Sequence, residues 1–537
     1  MSFGDILEDV GGMGKFQIIQ VLLLVTPTIF LSCHNMLQNF VAAVPDHHCQ
    51  VRLEVNGSSP ANTTTTLQAE ELLRAFIPLD RNQQPEQCRV YSSPQWHLLD
   101  PNATWRNTTE YDTQICTDGW TYDRSQFETT IVTEWDLVCA WKHLKWISQS
   151  IYMAGLLIGA ILLGRLSDKY GRRTLLLWSH FQLAVCGMCA SFSSSYFLFC
   201  FWRFLCGMAV SGITLNGICL QMEWIPTRFR IPVSLINGCL YTLGQLQLAG
   251  LAYGIRDWRW FQFTVSIPFF IFFLYSWWFP ESARLLILDD KADVALKQLR
   301  RVAKLNGKEA EGEKLTAAIL KSKMETEHLG TKNKHSVLDL FRTLVVRKIA
   351  CCTMLIWFAT SLAYYGLAID LQGFGVDIYL IQLIFGAVDI PAKTLGFVSM
   401  TLIGRRFTQG ITLILAGSII LANTIVPKEL QALRTSFAAV GKGCLAASFA
   451  CCYLYSGELY PTVVRQTGMG LVSTMARMGA MIAPVIRMSG DYVSFLPLII
   501  YGGVPVIAGV AAFSLPETRK TPLPETIKEI ENSLPQQ

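Results

Sequence analysis

The chain has 537 residues, of which 51% are hydrophobic and only 16% charged, and its mean hydropathy is +0.34. Soluble domains carry about 25% charged residues, so this chain has too little charge to coat several of them and too much hydrophobicity to be disordered. A net charge of 45 − 40 = +5 is too weak to indicate a nucleic-acid partner.

A helix needs about 20 mostly apolar residues to cross a bilayer. Stretches of that kind occur at 16–40, 146–166, 174–194, 197–222, 232–253, 259–280, 348–369, 377–400, 408–427, 433–457, 467–488 and 493–515. The expectation is an all-α membrane protein with twelve transmembrane helices. A membrane barrel would show short alternating segments instead. The first stretch follows Lys15 and precedes the small-residue run Val41-Ala42-Ala43-Val44, as a secretory signal would. Its apolar run is longer than the usual core of about 7–15 residues, and Asp5, Glu8 and Asp9 precede it. A retained first helix is expected.

Lys and Arg in short loops mark the cytoplasmic side. Arg165, Lys169, Arg172 and Arg173 lie in the run 164–173 that joins stretches two and three, Arg228 and Arg230 between four and five, and Arg405 and Arg406 between eight and nine. The connection 281–347 is also basic. All fall on one side, which places the termini, 1–15 and 516–537, in the cytoplasm. Residues 146–280 then hold helices 2–6 and residues 348–515 hold helices 7–12. The large loop 41–145 faces outward. It carries four N-glycosylation sequons, at Asn56, Asn62, Asn102 and Asn107, which are surface acceptors in a secreted compartment. It also carries Cys49, Cys88, Cys116 and Cys139. An even set in an oxidising compartment reads as two disulfides with three pairings open.

The two halves repeat each other. Gly171-Arg172-Arg173 returns as Gly404-Arg405-Arg406, Glu223-Trp224-Ile225-Pro226-Thr227 as Glu458-Leu459-Tyr460-Pro461-Thr462, and Pro280-Glu281-Ser282 as Pro516-Glu517-Thr518; Arg230 matches Arg465. Six spans per half with motifs on the same face indicate a parallel duplication about an axis along the membrane normal. Acidic residues recur with the bases. A conformational latch is therefore expected from Asp168, Arg172, Arg173, Glu223, Arg230, Glu281, Arg284, Arg405, Arg406, Glu458, Arg465 and Glu517, joining the halves when the site opens outward.

The run 164–173 resembles the loop signature of the major facilitator superfamily. Within it, the chain resembles the organic cation/anion/zwitterion transporters. The likeness is carried by residues 125–136 (Ser-Gln-Phe-Glu-Thr-Thr-Ile-Val-Thr-Glu-Trp-Asp), Pro280-Glu281-Ser282-Ala283-Arg284 and Glu458-Leu459-Tyr460-Pro461-Thr462. Ala363-Tyr364-Tyr365-Gly366-Leu367, the run 385–393 and Gln466-Thr467-Gly468-Met469-Gly470 resemble the organic anion transporter subfamily in particular. Leu285 departs from the pattern, where a Trp commonly follows the Arg. The resemblance implies the major facilitator fold, two six-helix halves, and secondary active transport of organic anions by alternating access at the plasma membrane. It further implies an antiporter taking an intracellular dicarboxylate as counter-substrate.

A charge at bilayer depth is costly, about 2.5–3.5 kcal/mol on insertion scales, and is a functional candidate for that reason. Arg203, Lys393, Lys442 and Arg477 are the basic ones. Arg477 has no acidic residue within a helical turn, and its planar fork suits a carboxylate or sulfate. The resemblance agrees: the family's anion carriers hold substrate or chloride at this position. Asp389 stands four residues before Lys393 and can pair with it, with Pro391 between them; an anion-site role for Lys393 is nonetheless expected. Lys442, between two glycines, and Arg203, near a helix end and able to snorkel, read as structural. By resemblance, Tyr241, Tyr364, Tyr365, Phe449 and Tyr453 line the central cavity and give an apolar berth, and Asn39, with Asn35 and His34, makes one face of helix 1 polar. Any single aromatic is otherwise explained by packing or lipid contact.

No phosphate loop and no His-Glu-x-x-His motif occurs, so neither ATP-driven pumping nor metalloproteolysis is indicated. No enzyme activity, cofactor, metal or nucleic-acid partner is expected, chloride at the cationic site apart. The substrates implied are small organic anions such as prostaglandins, steroid sulfates, urate or drug-like carboxylates. A cation or zwitterion carrier on the same fold, needing a free acid where Asp389 lies, and a receptor or channel are the alternatives.

Overall fold

In a computed structural model of the chain, the structure describes residues 3–51, 73–80, 83–96, 112–289, 291–322, 339–427 and 429–519. Within the apolar stretches the backbone forms helices, the one open structure that satisfies every backbone N–H and C=O inside hydrocarbon. They are α1 (Lys15–Val41), α2 (Leu144–Tyr170), α3 (Arg172–Ser191), α4 (Tyr196–Trp224), α5 (Arg230–Gly254), α6 (Trp258–Ser266 continuing as Pro268–Ser276), α7 (Leu344–Ile369), α8 (Ile378–Leu402), α9 (Arg405–Ile425), α10 (Gln431–Leu459), α11 (Thr462–Met488) and α12 (Leu496–Ala512). Among the described residues, nine of these are both long and apolar enough to cross a bilayer unaided. Breaks in α1 and α6 fall at Pro27 and Pro268, where the missing N–H ends one helical segment and starts the next. Side chains begin other helices: Asp377 accepts from the N–H groups of Tyr379 (2.8 Å) and Leu380 (3.1 Å) at the start of α8, filling donors a helix terminus leaves open.

The chain divides into two compact units. The helical unit takes the described residues of Met1–Asn39, Trp146–Ile255 and Arg259–Gln537, and the second takes those of Phe40–Lys145 with Arg256–Trp258.

The second unit holds two short antiparallel pairs. Strand β1 (His47–Cys49) pairs with β4 (Trp120–Tyr122), and β2 (Arg89–Tyr91) with β3 (Thr113–Ile115). Disulfides join Cys49 to Cys116 and Cys88 to Cys139, which selects one of the three pairings left open by the sequence. The motif at 125–136 closes on Arg256–Trp258: Arg256 donates to the Ser125 carbonyl (3.0 Å), Thr129 donates to Asp257 (2.9 Å), and the Trp258 indole donates to Glu134 (2.8 Å). The sequons at Asn56, Asn62, Asn102 and Asn107 lie outside the described residues.

In the helical unit, call the ends at which α1 leads into the disulfide-bonded segment the loop side, and the opposite ends the basic side. The duplicated motifs make the same structure twice on the basic side. Gly171 (φ +97°, ψ 150°) and Gly404 (φ +118°, ψ 167°) start α3 and α9 in a backbone region that only glycine occupies readily. A side chain at either would run into a carboxylate, that of Glu281 or Glu517. Each carboxylate caps the helix that follows its glycine: Glu281 accepts from the N–H groups of Arg172 (2.8 Å) and Arg173 (3.0 Å), and Glu517 from those of Arg405 (2.9 Å) and Arg406 (3.0 Å). Anions are favoured there by open donors and the helix dipole alike. The first Arg of each pair then reaches α4 or α10, Arg172 to Glu223 (2.8 Å) and Arg405 to Glu458 (3.1 Å), with Asp168 3.6 Å from Arg172. Arg465 donates to the Tyr460 carbonyl (3.2 Å), and Arg173 to that of Trp277 (2.6 Å). Arg230 and Arg284 are exposed at the same end. These named pairs knit helices within one half; none of them crosses between halves in this structure.

The helix at Ala292–Leu305 is amphipathic, burying Ala295, Leu299, Val302 and Ala303. Just beyond it, Asn306 donates to the Val10 carbonyl (3.1 Å) and the Gln17 side chain (2.9 Å) and accepts from the N–H of Phe16 (3.0 Å), tying the N-terminal segment to this connection.

Candidate functional site

The four cations within the spans have four different environments. Arg203 on α4 is 0% exposed, which corrects the expectation that it snorkels. Its guanidinium lies over the Tyr152 ring, 4.2 Å from the centroid, and donates to the His34 carbonyl at 3.4 Å. Stacking on an aromatic face suits the weakly hydrated guanidinium. His34 packs edge-on against Phe269 (5.6 Å). It is buried, and its ring nitrogens have no hydrogen-bond partner.

Lys442 on α10 forms an ion pair with Asp389 on α8 at 2.8 Å, with the two side chains 1% and 0% exposed. Its remaining donors go to the Phe385 carbonyl (2.9 Å) and to Oε1 of Gln245 (3.3 Å). The second Asp389 oxygen accepts from the Tyr364 hydroxyl (3.1 Å) and from Gln245 (3.4 Å). The sequence expectation that Asp389 could pair with Lys393 is therefore corrected. The tertiary neighbour from α10 takes the acid, and a buried carboxylate without such a partner would be strongly disfavoured. The free acid that a cation carrier would need is consumed in the same way.

Lys393 is half-buried and donates to Oγ1 of Thr242 (3.0 Å) and the Gly238 carbonyl (3.4 Å), both on α5. Arg477 on α11 is also half-buried. Its side chain donates to Ser473 one turn earlier (2.7 Å) and lies within electrostatic reach of Tyr453 and Tyr365. No carboxylate pairs with it among the described residues.

Several of the aromatic residues meet one another or a neighbouring ring. The Tyr364 ring stands edge-on to Phe449 (5.3 Å) and to Tyr365 (5.6 Å). Tyr453, 58% exposed, meets Trp357 at 4.5 Å. Tyr241 accepts from Asn35 (3.3 Å). Two residues expected to face a ligand are engaged elsewhere. The Tyr364 hydroxyl is spent on Asp389, and Asn39 donates across the halves to the Ala368 carbonyl (2.8 Å) and to Gln382 (3.5 Å).

Several residues in this region escaped the sequence reading. Gln245 and Thr242 carry no charge and sit in an apolar run, so nothing set them apart; a buried polar side chain on a membrane helix was the available signal. Arg487 at the loop-side end of α11 pairs with Asp370 at the end of α7 and covers the Trp146 ring on α2 at 5.6 Å. Tyr253 and Tyr379 meet at 5.6 Å near the same end. With Asn39, Gln245 and Lys393, these contacts join the two halves from the loop side to mid-membrane.

A sequence profile described as "Sugar (and other) transporter" matches residues 104–529. Solute carrier family 22 member 6-A of Xenopus laevis is 53% identical over 99% of this chain and 95% of its own length. Solute carrier family 22 member 6 of Danio rerio is 52% identical over 99% and 94%, and member 20 of Mus musculus 50% identical over 100% and 95%. Among solved structures, the partially occluded inward-open xylose transporter XylE of E. coli superposes with a TM-score of 0.60 at 15% identity, over 93% of this chain and 99% of that one. The shared fold is the twelve-helix architecture of two six-helix halves. The chain belongs to the major facilitator superfamily and, within it, to solute carrier family 22, in the organic anion transporter group.

Proposed function

We propose that this carrier exchanges organic anions across the plasma membrane for an intracellular dicarboxylate, by alternating access to a site that contains Arg477 and Lys393. The carrying observation is Arg477: a half-buried guanidinium within a spanning helix, in electrostatic reach of Tyr365 and Tyr453 and without a carboxylate partner among the described residues. Such a group seeks an anion, and its fork binds carboxylate, sulfate or chloride. Phe449, Tyr453 and Tyr365 supply ring faces for an aryl or steroid body. Prostaglandins, steroid sulfates, urate and drug-like carboxylates share that chemistry. The loop side is extracellular and glycosylated, both termini are cytoplasmic, and the paired arginine clusters on the basic side are the parts that would re-pair between halves on opening outward. The halves' contacts on the loop side support assigning this state as closed to the outside.

Uptake of labelled aryl carboxylates and sulfates into cells expressing the chain tests the reading. Saturable uptake, stimulated by preloaded glutarate and lost in Arg477→Asp at unchanged surface expression, is the expected result. Full uptake by Arg477→Asp would remove it.

A further inference from the structure

The second cation of the site is engaged by the opposite half. Lys393 sits on α8, and its two acceptors, Thr242 Oγ1 at 3.0 Å and the Gly238 carbonyl at 3.4 Å, belong to α5. Thr242 is fully buried, and its own proton goes to the Gly238 carbonyl at 3.2 Å. Its oxygen lone pairs are therefore what it offers the ammonium. One turn further along α5, Gln245 bridges to Tyr364, Asp389 and Lys442. Thr242 and Gln245 are three apart on one helical face, so a single displacement of α5 breaks both sets of bonds.

Both acceptors of Lys393 are neutral. A ligand carboxylate adds to the hydrogen bond a charge–charge attraction that a neutral acceptor cannot supply. Asp389 does not compete for the released lysine, because Lys442 (2.8 Å) and the Tyr364 hydroxyl (3.1 Å) hold its two oxygens from within the same half. We infer that Thr242 and Gly238 are a competing acceptor site for Lys393: α5 takes this cation out of the binding site while the halves are closed on the loop side, and releases it to the ligand when they part there. The site then offers two cations, Arg477 and Lys393, in the loop-side-open state and Arg477 alone in the present one. Affinity falls on passage to the basic side, and falls further for a dianion than for a monoanion. The inference rests on the anion-carrier reading for its ligand, but its clasp is a property of the empty protein.

The clasp is tested by hydrogen–deuterium exchange of the full-length protein in lipid nanodiscs without ligand. Thr242→Val keeps the shape and removes the nearer of the two acceptors. Peptides from the loop-side ends of α5 and α8 should then exchange several-fold faster. Thr242→Ser, which keeps the acceptor, should exchange at the wild-type rate. Lys393→Met should reproduce the valine variant, and the two combined should add nothing further. Unchanged exchange in Thr242→Val, or additive effects in the double variant, would overturn the clasp. Binding of glutarate and of benzoate to the state open on the basic side tests the competition. Thr242→Val should tighten glutarate by about tenfold, one charge-assisted bond, and benzoate by less. Equal shifts overturn the count of cations. Binding of neither probe to the wild type overturns the anion reading, and the competition with it, while the exchange result still decides the clasp.

Discussion

The two six-helix halves are alike at their basic ends and unlike at mid-membrane. At the basic ends each has glycine, two arginines and two carboxylates in the same places making the same bonds. Among the described residues at mid-membrane, the N-terminal half holds a single fully buried cation, Arg203, stacked on Tyr152. The C-terminal half holds three cations and one acid, of which one pair cancels. Duplication preserved what every half needs in order to remain one body. The halves diverge at mid-membrane, where most of the charge lies in the C-terminal one.

The comparison breaks most visibly at the buried charges. Asp389→Asn leaves Lys442 uncompensated and should cost about 3–5 kcal/mol, read as a large drop in melting temperature of the purified protein. Replacing both partners, as in Asp389→Leu with Lys442→Met, should recover most of the loss. Arg203→Met removes a cation without orphaning an acid, giving up a stacking contact worth about 2 kcal/mol but relieving a desolvated charge. Its melting temperature should stay much closer to wild type. An equal loss in Arg203→Met and Asp389→Asn would mean that Arg203 has an acidic partner after all.

The likeness of the basic ends is sharpened by paired substitutions. Gly171→Ala and Gly404→Ala each force a side chain into a glycine-only backbone region and against a carboxylate, for about 1–3 kcal/mol. Glu281→Gln and Glu517→Gln each weaken an anionic helix cap, for about 0.3–1 kcal/mol. Within each pair the melting shifts should agree; a one-sided effect would show that the halves are not equivalent there. The smallest effect belongs to Glu8–Arg228, 3.6 Å apart and largely exposed. Glu8→Gln should change stability by less than about 1 kcal/mol, within the scatter of the same measurement.

Much of this architecture was legible in the sequence because lipid imposes length and apolarity on every spanning helix. The predicted spans differ from the helices mainly where polar or aromatic residues extend a helix past the hydrocarbon, as at Arg172 and Thr462. Arg477 was legible because a charge in an apolar run is rare. The partner of Asp389 was not. Spacing along α8 pointed to Lys393, whereas the partner comes from another helix at a sequence separation of 53. Gln245, Thr242 and the hydroxyl of Tyr364 were missed for the same reason: their hydrogen-bond partners lie on other helices that only tertiary packing brings near. The disulfide pairing is likewise a fact of tertiary geometry, since four cysteines permit three connections.

The cancellation of Asp389 by Lys442 also has an electrical consequence. With that pair neutral, the charge of the proposed site comes, among the described residues, from Arg477 and Lys393. A bound dianion leaves it neutral, and a bound monoanion leaves it with one positive charge. Under the proposed exchange, inward transit with a monoanion carries one charge through the membrane field, and outward transit with a dianion carries none. The field is worth about 2.3 kcal/mol per charge per 100 mV. A negative cell interior therefore drives the uptake leg and leaves the return leg indifferent, so the voltage dependence of the cycle lies in its monoanion step.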